Sequence, residues 1–413
     1  MNKSTFWWLG LYVLLLTLYS LWSFSLTDPN LVLSSWSPYW QFQQWMWQTF
    51  FHHSQLLTGS FVLLMIGLCL TWSGLMQSLT PLLRTRQLLI GVAIVCLPLC
   101  FSYNALSHDV FNYIFNAKIV VVYHQNPHQK VALDFPQDPW IRFMHNTHTP
   151  APYGYGWTVF SVLPFWVGVQ KFTLTWLVFR GLSILAVPLL IGSIIGFAKE
   201  FNIKLFIKDL AMVVLHPLFL IELISNSHND LWMLVPGVAA LWLGKRGVRQ
   251  KNLPVLLLSA LLLLFSISTK LATVVLIPIW VSGWCELIAT GSKPNFPVLI
   301  RHWGTLVWAL VQSNAAFLAS VLLFLPLLSS RSQIFNPWYL VWPLIWFPLV
   351  KVRWWRNFLL VLAVSSLFRY VPWLLAGGFS EEIIHQQRAI TWIGGGVGCG
   401  LWYVWSRRQK RLA

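Results

Sequence analysis

A carboxylate at the mouth of an apolar segment can take the proton from an attacking hydroxyl. Asp109 has that place, in the run Ser107-His108-Asp109-Val110-Phe111-Asn112-Tyr113. Helical continuation of the run puts Tyr113 one turn beyond Asp109. The same carboxylate in a first turn also suits an ordinary helix cap. A second cluster, His145-Asn-Thr-His148-Thr-Pro-Ala-Pro-Tyr153-Gly154-Tyr155-Gly156, is stiffened by prolines and turned by glycines. It could wall a cleft, with His148 and Tyr153 as hydrogen-bonding groups, or be a plain turn. His228-Asn229-Asp230 stand between two apolar segments, where they could line a site or cap the following helix. Lys270, then Arg331 with Asn336-Pro337-Trp338-Tyr339, then Glu381 to Arg388 lie at other segment ends. Lys and Arg often only snorkel there, but Lys270, Arg331 and Arg388 are suited to a lipid phosphate, which Arg binds bidentately and Lys as a point charge. Glu222 is an acid within an apolar segment, expected to pair with a cation facing the bundle interior.

Five histidines (His108, His124, His128, His145, His148) share one stretch with Asp109, Asp134 and Asp138. A divalent metal is an alternative for this group, yet its spacings match no zinc pattern. No metal ligand and no other cofactor is therefore assigned. The five cysteines all fall inside apolar segments, as buried thiols do, and form no disulfide or CxxC pattern.

The elements that must hold these groups follow from composition. Of 413 residues 57% are hydrophobic and 9% charged, with a net charge of +17. About twelve stretches (11–13) are long enough to span a bilayer, which gives an all-α polytopic integral membrane protein with long outer loops and interfacial helices. The expected spans are 6–26, 56–78, 87–103, 173–198, 209–226, 230–244, 253–268, 271–288, 304–328, 337–350, 356–376 and 389–406. Most Lys and Arg fall in one alternate set of loops, around residues 84–86, 199–208, 245–251, 293–301, 351–356 and 407–411. Cytoplasmic loops collect such residues, so the polar clusters above face outward and both termini face the cytoplasm. This bias accounts for the basic excess, and no soluble basic stripe is left for nucleic acid. Segment 156–169, about 14 residues, is too short for an ordinary span and is expected to be re-entrant or partial. The chain reads as one domain, 1–413. Residues 27–55, rich in Trp, form an outer interfacial loop, and 104–155 a long outer loop of the kind that carries function. Trp near other segment ends suits the interfacial belt.

Several of these motifs together resemble the C-type (GT-C) glycosyltransferases, and among them the bacterial polyprenyl-phosphate-mannose-dependent α-1,6-mannosyltransferases. The resemblance runs from about residue 100 to 350. It rests on His108-Asp109 and Tyr113, Asn126-Pro127, Thr149-Pro-Ala-Pro-Tyr-Gly154, Leu215-His216-Pro217, Ser227-His-Asn-Asp230, Thr269-Lys270 and Pro337-Trp-Tyr-Leu340. Tyr155, His128 and Asn336 depart from the usual proline, tyrosine and glutamine. The resemblance implies inverting transfer of a hexose, mannose above all, from a polyprenyl-phosphate sugar to a glycan or glycolipid acceptor. It further implies Asp109 as general base and a bacterial plasma membrane with an extracytoplasmic site. On that reading Lys270, Arg331 and Arg388 hold phosphate, while His108, Tyr113, His148, Tyr153, His228, Asn229, Asp230, Trp338 and Tyr339 bind substrate. A transporter or lipid flippase is the rival reading, but matched halves with helices broken at mid-membrane are not apparent. A non-catalytic assembly subunit would not need the histidine-rich loop.

Overall fold

The computed structural model describes residues 3–27, 34–290, 298–328 and 336–412, and among them there is no strand. Helices α1 (Lys3–Trp22), α2 (Ser37–Met46), α3 (Ser54–Ser78) and α4 (Thr85–Cys96) precede α5 (Asp109–Val121), which opens the long loop. Then come α6 (Tyr155–Val167), α7 (Phe172–Glu200), α8 (Ile207–Val214), α9 (Asp230–Gln250) and α10 (Leu253–Thr269). The chain ends with α11 (Ile277–Thr290), α12 (Val298–Phe324), α13 (Arg353–Leu367), α14 (Val371–Ala376) and α15 (Glu381–Leu412).

Among the described residues four helical stretches are long and apolar enough to cross a membrane: Lys3–Leu26, Ser54–Ser78, Phe172–Glu200 and Arg353–Ala376. Others among the twelve expected spans are shorter or broken, and proline is the recurring cause, because it removes a backbone donor and clashes with the preceding turn. Residues 209–226 are interrupted at His216-Pro217 and continue as a wide π-turn, Leu220–Ser225. Residues 337–350 contain Pro337, Pro343 and Pro348 and form only a 3-10 turn, one turn of α-helix (Val341–Leu344) and further turns. After Pro98, α4 tightens into a 3-10 turn.

The bundle has two chemically distinct ends. Helix α9 is about 30 Å long at 1.5 Å per residue. At its first residue, Asp230 pairs with Lys270; in its last turn, Arg249 lies 3.1 Å from Glu200 at the end of α7. Near that second end Arg356 pairs with Asp209 at 3.1 Å, and Lys208 Nζ donates to the Leu79 carbonyl at 2.7 Å. Among the described residues Lys208, Arg249 and Arg356 thus lie toward one end, and Asp230 with Lys270 at the other. Helix α6 starts beside Thr269, whose carbonyl accepts from Gly154 N at 3.2 Å. It ends with Phe165 near Trp140 of the long loop, at 6.0 Å. Both of its ends therefore lie by the polar end of the bundle, while Val159, Leu163, Trp166 and Val167 are exposed.

Beneath the polar end a buried arginine joins three segments. Arg180 Nη1 donates to the Ile224 carbonyl (2.6 Å) and Ser102 Oγ (2.9 Å), and Nη2 to the Ser102 carbonyl (3.0 Å) and Asn104 Oδ1 (2.9 Å). Asn104 Nδ2 in turn donates to the Asn226 carbonyl at 2.6 Å. These bonds lock the backbone before Asp109 to the backbone before His228.

Candidate active site

Asp109 and His228 meet although more than a hundred residues separate them. His228 Nδ1 lies 3.5 Å from Asp109 Oδ2, and His228 Nε2 lies 3.4 Å from Glu222 Oε2. Both distances suit charge pairs and are long for hydrogen bonds. The local backbone explains the turn back onto Glu222. Asn226 N bonds the Ile221 carbonyl across the π-turn, Ser227 adopts a left-handed φ of 54°, and His228 N reaches the Glu222 carbonyl. A non-glycine residue held there costs about 1–3 kcal/mol and persists only where its surroundings enforce it. The Tyr370 hydroxyl holds the other oxygen, Glu222 Oε1 (2.8 Å), and Asn226 Nδ2 donates to the Oε2 that His228 approaches (3.1 Å).

Burial works against charge on Asp109, but His228, then Tyr153 and Lys270, outweigh it and hold the carboxyl below its usual range. For His228 burial favours the neutral ring; bonding and attraction to Asp109 and Glu222 overcome that and raise it to about 9. His108 goes the other way, down to about 3, through burial and the neighbouring His145.

Around this pair, Tyr113 and Tyr153 meet edge to face at 4.9 Å, and the Tyr113 hydroxyl accepts from Asn229 N at 3.4 Å. Asn229 is fully buried, and neither its Oδ1 nor its Nδ2 has a hydrogen-bond partner. Such an amide costs about 1–3 kcal/mol, which makes it a candidate for sugar hydroxyls. Lys270 Nζ lies 2.9 and 3.0 Å from the Asp230 oxygens, and Trp342 Nε1 donates to Asp230 Oδ1. The rings of Tyr153, Tyr339 and Trp342 surround the ammonium within 6 Å.

Asp109 opens into a cavity of about 980 Å³. His108, Asn112, Arg142, His145 and Asn146 give it a polar wall, and Leu57, Trp373, Leu374 and Phe379 an apolar one. The strip 145–156 is pinned from behind, where Ala151 N bonds the Pro127 carbonyl and His128 Nε2 contacts Thr158 Oγ1 at 2.9 Å.

The structure brings together His108, Asp109, Tyr113, Tyr153, His228, Asn229, Asp230, Lys270, Trp338 and Tyr339. His148 is exposed and does not line the cavity. Arg388, in α15, lies near Arg369 and likewise does not line it. Arg331 lies outside the described residues. Sequence reasoning missed three contributions: Glu222 as a direct partner of His228, Arg142, and the cover formed by 373–379. Among the described residues no group of three or more His, Cys, Asp or Glu is placed to hold a metal ion.

A family model described as alpha-(1->6)-mannopyranosyltransferase, N-terminal domain, matches residues 8–286. The chain belongs to this MptA_B family. No curated protein and no solved structure matches it. Membership in a mannosyltransferase family agrees with the resemblance drawn from the motifs. The matched span contains Asp109, Tyr113, Tyr153, Glu222, His228 to Asp230 and Lys270. It stops before Trp338 and Tyr370, so in this family member the last walls of the site come from the part of the chain beyond the match.

Proposed function

We propose that the protein transfers mannose from a polyprenyl-phosphate donor to a glycan or glycolipid acceptor at the extracytoplasmic face, with Asp109 as general base. The observation that carries this reading is the placement of Asp109, whose carboxyl is held below its usual range, on the wall of a large, partly polar cavity. In the transfer, Asp109 takes the acceptor hydroxyl proton as that oxygen bonds to the sugar C1. The C1–oxygen bond to phosphate breaks on the opposite face, and the electron pair leaves with the phosphate. Charge growing there is stabilised best by fixed cations; Arg142 on the cavity wall and Lys270 behind Asp109 are suited to this, Lys270 by exchanging part of its contact with Asp230. The apolar wall suits the lipid. Asn229, His108 and His145 are suited to sugar hydroxyls. The position of Lys208, Arg249 and Arg356 toward the far end supports an outward-facing site through the cytoplasmic bias of such residues.

The test is to incubate purified protein with radiolabelled polyprenyl-phosphate sugars and a membrane glycan extract and to score which label moves. Mannose should move, and Asp109→Asn should lower the rate by at least about 100-fold, in line with general-base contributions, with donor binding intact. Normal turnover in that variant ends the assignment of Asp109.

A further inference from the structure

We propose that Glu222 is a positioning residue for the transfer: it keeps His228 in the imidazolium form, and the imidazolium holds the Asp109 carboxylate at the cavity wall. The proposal rests on the reading of Asp109 as base. Glu222 itself does not line the cavity, and His228 lies between it and Asp109.

The geometry carries the argument. Each ring nitrogen of His228 lies close to a carboxylate, Asp109 at 3.5 Å and Glu222 at 3.4 Å, at ion-pair distance and without hydrogen-bonding geometry. A neutral imidazole has one N–H and one lone pair. A neutral ring of either tautomer would leave two buried carboxylates beside it without a counter-charge, and only the imidazolium offsets both. Trp338 lies over the ring, with centroids 3.8 Å apart and planes 21° apart, an arrangement that favours a cation over an aromatic face. Glu222 cannot swing away, because Tyr370 and Asn226 each hold one of its oxygens. A continuous chain therefore runs from Tyr370 through Glu222 and His228 to Asp109, from the bundle interior to the cavity.

The other titratable groups facing this chain are Tyr113 from α5, Tyr153 from the 145–156 strip, Tyr19 from α1, and Arg369 and Tyr370 ahead of α14, with the Lys270–Asp230 pair alongside. Only His228 among the groups in direct contact with Asp109 gains or loses charge in the range where the enzyme would be assayed. When His228 loses its proton, Asp109 loses its clamp and the buried acids repel. Activity should then fall on the alkaline side, and removing the Glu222 charge should bring that fall to lower pH.

The experiment uses the full chain in nanodiscs, with transfer measured across pH for the native protein, Glu222→Gln, Glu222→Asp and His228→Asn. Glu222→Gln should lower kcat by about tenfold near pH 8 with the donor KM within about twofold, and should recover toward native activity near pH 6, where even an ordinary histidine is largely charged. Its alkaline limb should move down by about one unit or more. Glu222→Asp should restore much of the limb. In His228→Asn the limb should vanish, and adding Glu222→Gln should change nothing further. A loss that is uniform across pH, or an unmoved limb, overturns the proposal.

Ring-nitrogen NMR of labelled histidine supplies a readout that needs no turnover. His228 should stay imidazolium to about pH 8 in the native protein, lose its proton at lower pH in Glu222→Gln, and stay close to native behaviour in Glu222→Asp, which keeps the carboxylate. A neutral His228 ring at pH 7 in the native protein overturns the proposal outright. Absence of transfer from the polyprenyl-phosphate donor, with His228 still imidazolium and responsive to Glu222, would instead overturn the donor reading.

Discussion

His228 and Trp338 stack almost in parallel, with ring centroids 3.8 Å apart. The two come from different regions of the chain: His228 follows the π-turn, and Trp338 sits in the 3-10 turn after Pro337. The contact closes the side of the site that neither carboxylate covers, so the ring is held by charge at both nitrogens and by an aromatic surface on one face.

This stack predicts a graded response at position 338. A buried cation over a ring gains about 0.5–2 kcal/mol, so Trp338→Ala should lower transfer by about tenfold and bring the alkaline limb to lower pH. Trp338→Phe keeps an aromatic face and should retain most of the rate. Equal loss in the two variants would mean that Trp338 acts only by filling space.

Stability should depend on pH through the same residue. The folded value of His228 is raised to about 9 from an ordinary 6.5. Its contribution is therefore complete below about pH 6.5 and is lost as pH rises through about 9. Asp109 is shifted down from 3.8; its contribution is present above that value and is lost as pH falls through the folded value. Thermal unfolding in detergent should show a falling midpoint from about pH 7 to 10, and His228→Asn should flatten that alkaline side. An unchanged slope in the variant would place the loss elsewhere.

Part of this site was legible in the sequence because membrane proteins sort charge by side. The alternation of basic loops with clusters such as His108-Asp109 and His228-Asn229-Asp230 predicts convergence, and those residues converge. The pairing of Glu222 was visible only as an acid needing a cation inside the bundle. Its partner proved to be His228, six residues on, which a regular α-helix would not turn toward it; the π-turn and the left-handed Ser227 do. Tyr370 closes on Glu222 from 148 positions away, a distance no local pattern reports. Arg388 and His148 stand apart from the Asp109–His228 cluster, and residue type and loop assignment do not report which side of a helix or strip a group takes. Where prolines cut apolar stretches, as at His216-Pro217, the helices are shorter than the expected spans, since hydropathy registers the apolar run and not the break.

Arg180 should be required for folding rather than for chemistry. It satisfies four acceptors on segments 102–104 and 224, and deleting one partner of a buried charged network costs about 3–5 kcal/mol. Arg180→Leu should lower the yield of monodisperse protein and the unfolding midpoint. Arg180→Lys should not rescue it, because an ammonium lacks the planar fork that reaches several acceptors at once. Full stability in the lysine variant would show that charge, not geometry, is what the site needs.

The two glycines that open α6 make a sharper prediction, since both press on Ser268 at the end of α10. A Cβ at Gly154 would overlap the Ser268 carbonyl oxygen, a backbone atom, whereas a Cβ at Gly156 would overlap the Ser268 hydroxyl. Backbone cannot yield without moving Thr269 and Lys270, and with them Tyr153, so Gly154→Ala should lower transfer by at least tenfold, about the scale seen when a positioning element shifts near 1 Å. Gly156→Ala should be milder. Adding Ser268→Gly should rescue Gly156→Ala, because it removes the overlapping side chain, and should leave Gly154→Ala unrescued, because the carbonyl remains. Rescue of both, or of neither, would show that the close approach of α6 to α10 is not what sets the position of Tyr153 beside Asp109.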